Sequence, residues 1–132
     1  MTVASFRTAF ATALRTVTDL KASEYITDKV TTPQAMFDLE IEPDLTFGRG
    51  ADVYRVTGWV LASRTPDRAS QVWLDLVRDP NNTDGLKYSI ENDSTLAAAC
   101  DYARVTRIGR IQPTSHEGIE YLGFDFDTEV VI

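Results

Sequence analysis

The first apolar pattern along the chain has the period of an amphipathic helix. Apolar side chains recur every three or four residues near the start, at Val3, Phe6, Phe10, Ala13, Leu14 and Val17. This spacing places them along one side of a helix of about fifteen residues. Arg7, Thr8 and Arg15 are left mainly for solvent. A short strand is predicted over Leu20–Ile26, before Pro33, which offers no amide donor.

Two later segments alternate between apolar and acidic residues, which is typical of strands with one solvated face. In the first segment, apolar Phe37, Leu39 and Ile41 alternate with acidic Asp38, Glu40 and Glu42. In the second segment, Leu122, Phe124, Phe126, Val130 and Ile132 lie opposite Asp125, Asp127 and Glu129. We predict that the second segment is a strand over Ile119–Val131, preceded by a strand over Tyr102–Ile111. Gln112–Gly118 is predicted to connect them as a loop.

The central part of the chain predicts a buried strand followed by a helix. Asp52–Ala62 carries apolar residues on both faces, so we expect it in the middle of the sheet. A helix is then predicted to begin with Thr65 as its N-cap and Pro66 at its first position. Its expected buried stripe consists of Ala69, Val72, Trp73 and Leu76.

The order of these elements predicts the fold class. Asp79–Gly85 consists almost entirely of turn-forming residues, and short helices are predicted over Leu86–Asn92 and Ser94–Cys100, the second capped by Ser94 or Asp93. A helix, a strand pair, a crossing helix and a final hairpin indicate an α+β fold, a mainly antiparallel sheet with helices packed on one face. We expect a single domain over residues 1–132, with a flexible loop at 42–51.

Composition narrows the possible functions. The chain has 132 residues and 43% hydrophobic composition, enough for an independent core, and its apolar stretches are too short to predict a membrane span or a signal peptide. One cysteine, Cys100, excludes an internal disulfide, and one histidine leaves no Cys/His set for zinc. A net charge of −7 disfavours tight binding of nucleic acid. We therefore expect no metal, no cofactor and no membrane partner.

The sequence contains only incomplete signatures of metal-binding, catalytic or nucleotide-binding sites. Asp79, Asn81 and Thr83 resemble the first ligands of a calcium loop, but Asp84 stands where glycine is needed and Ile90 where the bidentate Glu should be. His116 is predicted in an exposed hairpin loop without a nucleophile motif nearby. Cys100 follows three alanines and is interpreted as a small core residue rather than a reactive thiol. Gly48-x-Gly50 lacks the third glycine and the helix of a nucleotide-binding loop.

Two features suggest interaction surfaces. If the two acidic strands are neighbours in register, six carboxylates share the polar side of the sheet: Asp38, Glu40, Glu42, Asp125, Asp127 and Glu129. Such a face could simply keep the sheet soluble, or it could line the lumen of a ring and repel DNA. The loop Glu42–Ala51 carries Arg49 between two glycines and Phe47 just before them, a composition found at interface hot spots, although a plain surface connection is the alternative.

A set of scattered positions in the last two-thirds of the chain resembles a known family. It comprises Phe47-Gly48-Arg49-Gly50-Ala51-Asp52, Val53–Ala62, Ser63-Arg64, Asp67-Arg68-Ala69-Ser70-Gln71, Leu74-Asp75, Ser89-Ile90-Glu91-Asn92-Asp93, Thr95-Leu96 and Tyr121-Leu122-Gly123. The pattern is similar to the tail-terminator proteins of long-tailed phages, especially those that infect actinobacteria. It contains no catalytic signature.

The resemblance implies a structural virion protein. Such proteins form a hexameric ring that caps the tail tube, stops its polymerisation and presents a surface for head-completion proteins, while DNA passes through the lumen without specific binding. Phe47, Arg49 and Asp52 would then lie at a subunit interface. The expected location is the neck of the virion, after assembly in the host cytoplasm. The alternatives are another neck or tube subunit, or a small acidic enzyme that uses Asp125 and Asp127.

Overall fold

A computed structural model describes residues 2–43 and 52–132 of the chain. Four helices and six strands occur in this part: α1 (Val3–Arg15), β1 (Lys21–Ala22), β2 (Gln34–Glu42), β3 (Val53–Ser63), α2 (Arg68–Arg78), α3 (Leu86–Asn92), α4 (Ser94–Ala99), β4 (Tyr102–Ile108), β5 (Gln112–His116) and β6 (Ile119–Val131). None of the described helices is long and apolar enough to span a membrane.

The N-terminal helix forms as its apolar period predicts. Thr2 and Ser5 make a reciprocal capping box, in which each side-chain oxygen accepts from the other residue's backbone amide at 3.0 Å. The stripe of apolar side chains is buried, except Val3, which lies in the first turn and is partly exposed. Phe10 is completely buried, and its ring centroid lies 4.7 Å from that of Phe37 on β2. α1 is therefore held on the sheet by aromatic packing.

The sheet has the strand order β1-β2-β3-β6-β4, with β5 also paired to β6. Among the described strands the short β1–β2 pair is parallel, and the other pairs are antiparallel. Residues from all four helices pack into one cluster with Phe37, Val56 and Phe126 on a single face of the sheet. The predicted α+β class with a mainly antiparallel sheet is confirmed, and so is the central position of β3. The strand predicted over Leu20–Ile26 is reduced to the two residues of β1.

The segment before the last strand was predicted incorrectly as a loop. Gln112–His116 is strand β5, which pairs with the first half of β6 through a turn at Glu117 and Gly118, both with positive φ. Its polar residues and Pro113 are typical of a loop, but proline is tolerated in a strand at the edge of a sheet. The strand predicted over Tyr102–Ile111 ends at Ile108, and the chain then continues alongside β6 as β5.

The second helix begins later and faces the core differently than predicted. Asp67, not Thr65, is the N-cap, and its Oδ1 accepts from the amide of Ser70 at 2.7 Å. The buried residues are Leu74 and Val77. Of the predicted stripe, Trp73 is partly buried against the core, whereas Ala69, Val72 and Leu76 are exposed. The apolar residues of α2 are spaced so that either of two faces of the helix could be buried. Packing against the sheet buries the face that carries Leu74 and Val77. The other short helices agree closely with prediction, and the N-cap of α4 is Asp93.

Candidate functional site: the open face of the sheet

The charged side chains of four strands converge on the sheet face opposite the helices. In the described residues no helix covers this area, which we call the open face. It is formed by Asp38, Glu40 and Glu42 of β2, Arg55 and Thr57 of β3, Asp125, Asp127 and Glu129 of β6, and Tyr102, Arg104 and Arg107 of β4. The six carboxylates that we expected to share the polar side of the sheet therefore all lie on the open face.

The two acidic strands are not neighbours, which corrects the arrangement considered from the sequence. β3 runs between them, so Glu40 and Glu129 both lie opposite Arg55 in register. Arg55 Nε donates to Glu42 Oε1 at 2.9 Å, and its Nη1 lies 3.3 Å from Glu129 Oε2. The hydrogen bond from Arg55 holds the pKa of Glu42 below its usual value, and Glu42 in turn raises the pKa of Arg55. Arg55 therefore bridges the two acidic sets.

Arg107 of β4 binds the other two carboxylates of β6. Its Nε donates to Asp127 Oδ2 at 2.9 Å, and its Nη2 contacts Asp125. These hydrogen bonds, the one to Asp127 first, raise the pKa of Arg107. Asp125 also packs against Gly109, where a Cβ atom would stand 2.0 Å from Asp125 Oδ1, so a larger residue would displace the carboxylate.

The arrangement of Asp125 and Asp127 bears on the enzyme alternative. That hypothesis requires two carboxyl groups buried together in a concave pocket, where desolvation raises a pKa. Their side chains are instead 28% and 38% exposed and share one guanidinium group. Carboxylates held in this way supply fixed, compensated charge on a surface. Nothing in their geometry favours general acid or base chemistry.

The carboxylate of Asp38 reaches the edge of the sheet. It accepts from the amide of Leu39 at 2.8 Å and from Arg7 Nη2 at 2.9 Å. The Leu39 amide, followed by Arg7, lowers the pKa of Asp38. The side chain of Arg7 is only 13% exposed, donates also to the carbonyl of Glu24 and stacks on Tyr25. The prediction that Arg7 faces solvent is therefore wrong, because helical spacing could not reveal the β2 edge beside it.

The predicted interface loop is only partly covered by the described residues. Phe47 and Arg49 lie outside them. Asp52 exchanges two backbone hydrogen bonds with Ile132, at 2.9 and 3.2 Å, and so extends the pairing of β3 with β6 by one residue pair. The proposed role of these three residues at a subunit interface remains a prediction.

Comparison with known proteins adds no relative. A scan against models of protein families finds no match to this chain, and a search of curated proteins also finds none.

The other residues considered as chemical candidates have ordinary surroundings. His116 is half-buried at the end of β5, where its Nε2 contacts the carbonyl of Thr27, so its prediction as an exposed loop residue is wrong. Cys100 is half-buried, donates to the carbonyl of Leu96 at 3.1 Å and has a pKa raised by burial. Asp79 accepts from the amide of Asn81 at 2.9 Å, as expected for a turn. No group of three or more metal-binding side chains occurs among the described residues.

We expect Arg107→Gln to destabilise the protein by about 1 kcal/mol, because Asp125 and Asp127 then face each other without a counter-charge. Arg110→Gln is the control, since Arg110 is exposed just beyond the same strand and makes no ion pair among the described residues. Urea unfolding of both variants and the parent at neutral pH measures the difference. Equal stability of the two variants would show that the Arg107 contacts contribute nothing.

Proposed function

We propose that this chain is a structural virion protein, a tail terminator of a long-tailed phage. In this proposal six copies form a ring that caps the tail tube, stops its polymerisation and provides the surface for head joining. The observation that supports it most directly is the open face. A sheet that is covered by helices on one side and carries a net negative charge on the other can separate an outer wall from an inner channel.

The charge balance of the open face suits a channel for DNA. Its six carboxylates and three guanidinium groups leave a net charge of −3 on each copy. Phosphates are repelled by such a surface, while the arginine side chains that could bind them are engaged by carboxylates in two of the three cases, Arg55 and Arg107. DNA would therefore pass without being held. In a ring, the helices would face outwards and the open face would line the lumen.

The axial partners follow from the sequence resemblance. The tail-tube protein would contact one end of the ring, and a head-completion or connector protein the other. Phe47, Arg49 and Asp52 are proposed to contribute to a subunit contact, and Asp52 lies next to the pair formed by Glu42 and Val53. Such a role requires shape complementarity and ring closure, and no catalytic group or cofactor.

We expect the purified protein to cap tubes assembled from the cognate tail-tube protein. Because a terminator binds the growing end, tube length should fall as the ratio of this chain to tube protein rises, and a ring should be visible at one end. Negative-stain electron microscopy of tubes assembled with and without the chain measures both properties.

Two other results would contradict the proposal that the chain is a tail terminator. Rings that stack throughout the tube without limiting its length would indicate a tube subunit, and rings that bind only the head connector would indicate another neck protein. A chain that stays monomeric and leaves tube length unchanged would refute the proposed function as a whole.

A further inference from the structure

One row of residues crosses the open face with alternating charge. Glu40 on β2 is paired in register with Arg55 on β3, Arg55 with Glu129 on β6, and Glu129 with Arg104 on β4. At the usual spacing of neighbouring strands the row is roughly 14 Å long. Cross-strand neighbours of opposite charge stabilise a sheet, so the order negative, positive, negative, positive is favourable along the row.

The two middle residues of this row, Arg55 and Glu129, form ion pairs and hydrogen bonds within the subunit. Arg55 is bound by Glu42 and Glu129, and Glu129 also accepts from Tyr102 Oη at 2.8 Å. The hydrogen bond to Glu129 raises the pKa of Tyr102. Because these contacts occupy the middle pair, Glu40 and Arg104 remain without an ion pair among the residues described. Both side chains are exposed.

The two unpaired charges lie at opposite edges of the sheet. In the part of the chain that the structure describes, β1 pairs with only the start of β2, so Glu40 lies on an edge, and β4 forms the other edge beyond β6. β2 and β4 run antiparallel to each other, because three antiparallel pairings separate them. A second copy placed beside the first would therefore continue the antiparallel order. It would also continue the charge alternation, with Arg104 of one copy next to Glu40 of the other.

The edges favour a contact through side chains. On β2 the outward amide of Leu39 is taken by the Asp38 carboxylate, and on β4 the amide of Val105 is taken by Glu91 Oε2 at 3.0 Å. Carboxylates that occupy edge amides prevent simple addition of a strand at these positions. Among the described residues each edge also exposes one large apolar side chain, Ile41 on the helix-covered side of β2 and Tyr102 on the open face of β4. Both edges therefore offer charged and apolar side chains for a contact, although these two apolar side chains lie on opposite faces of the sheet.

We propose that neighbouring copies join head to tail, the β2 edge of one against the β4 edge of the next, with Glu40 paired to Arg104. This inference rests on the proposed ring. The occupant is a second copy because the two charges are complementary, lie in one register row and are both left unpaired by the subunit itself. A contact between two different edges is heterologous, and it closes into a ring when its rotation divides the circle. The open faces then form one continuous inner surface.

The test uses two single charge variants and the double variant that combines them. Glu40→Arg places two arginines in the contact, and Arg104→Glu places two carboxylates in it. Each single variant should weaken assembly about tenfold per contact, and the double variant should restore it, because like charges replace an exposed ion pair and the double variant re-forms one. An equal mixture of the two single variants should also assemble, since every contact in an alternating ring then joins opposite charges.

Two control variants reverse charges at residues outside this row. Glu120→Arg and Arg68→Glu reverse exposed charges that make no ion pair among the described residues and should leave assembly unchanged. Sedimentation velocity over a range of protein and salt concentrations measures the midpoint of assembly, and circular dichroism checks that every variant is folded. Added salt should weaken assembly of the parent, because exposed charges are screened.

The outcomes separate this contact from the proposed function. Rings in the parent that both single variants form equally well would overturn the Glu40–Arg104 contact and leave the tail terminator standing. Rings lost in the single variants but not regained in the double variant or the mixture would also overturn it. A parent that never forms rings, either alone or at tube ends, would overturn both proposals. Loss in each single variant with recovery in the double variant and the mixture supports the contact.

Discussion

Replacing Gly58 with alanine is expected to destabilise the protein by about 3 kcal/mol, because the new methyl group would overlap a buried aromatic ring. Gly58 lies in the middle of β3, opposite Phe126 of β6, and a Cβ atom there would be 2.3 Å from Phe126 Cζ. Phe126 is completely buried, so its ring has no free space to enter. We attribute the expected loss of stability to steric overlap with the Phe126 ring and not to backbone strain.

A double-mutant cycle separates these two causes. Phe126→Ala alone should cost about 4 kcal/mol through the cavity that it leaves. In the double variant the alanine at 58 enters that cavity, so the combined cost should be smaller than the sum by more than about 1 kcal/mol. Urea unfolding of the four proteins gives the coupling energy. Strict additivity would show that the contact with Phe126 does not explain the glycine.

Gly118→Ala is the matched control for Gly58→Ala. Gly118 has a φ of 77°, but a Cβ atom added there would meet no other heavy atom of the described residues within 4 Å. The change therefore tests backbone conformation without steric overlap, and it should cost about 1 kcal/mol. If Gly118→Ala lowered the free energy of unfolding more than Gly58→Ala, steric overlap would not be the main cost of replacing Gly58.

Phe10→Ala is expected to cost about 4 kcal/mol and to loosen the attachment of α1 to the sheet. The Phe10 ring is completely buried between Phe37 and Phe6, whose ring centroids lie 4.7 and 5.7 Å away. Val3→Ala in the same helix is the control, with an expected loss of about 0.5 kcal/mol, since Val3 is 37% exposed. Urea unfolding and hydrogen exchange of α1 amides measure the two effects. Similar losses in both variants would show that aromatic packing does not hold the helix.

The long elements could be predicted because their residue patterns match one geometry only. β6 has apolar and acidic residues on alternate positions over most of its length, and its predicted bounds are those observed. The apolar residues on both sides of β3 indicated a central strand, which its pairing with β2 and β6 confirms. In these segments the local pattern and the tertiary contacts favour the same structure.

The short or ambiguous segments could not be predicted in this way. α2 offers two apolar faces, and only the position of the sheet decides that Leu74 and Val77 are buried. β5 has the composition of a loop and is a strand because β6 extends beyond β4 and supplies partners for it. In both cases the deciding contacts come from residues distant in sequence, which a local pattern does not contain.

The same division applies to the open face. Period-two alternation determined from the sequence that Asp125, Asp127 and Glu129 share one side of their strand, since successive side chains point to opposite faces. Strand order and register were decided only by the tertiary structure. They place Arg55 between the acidic strands and Arg107 against β6, and they leave Glu40 and Arg104 unpaired among the described residues at opposite edges. Charge pairing across strands depends on which strands are neighbours, and that follows from packing of the whole chain.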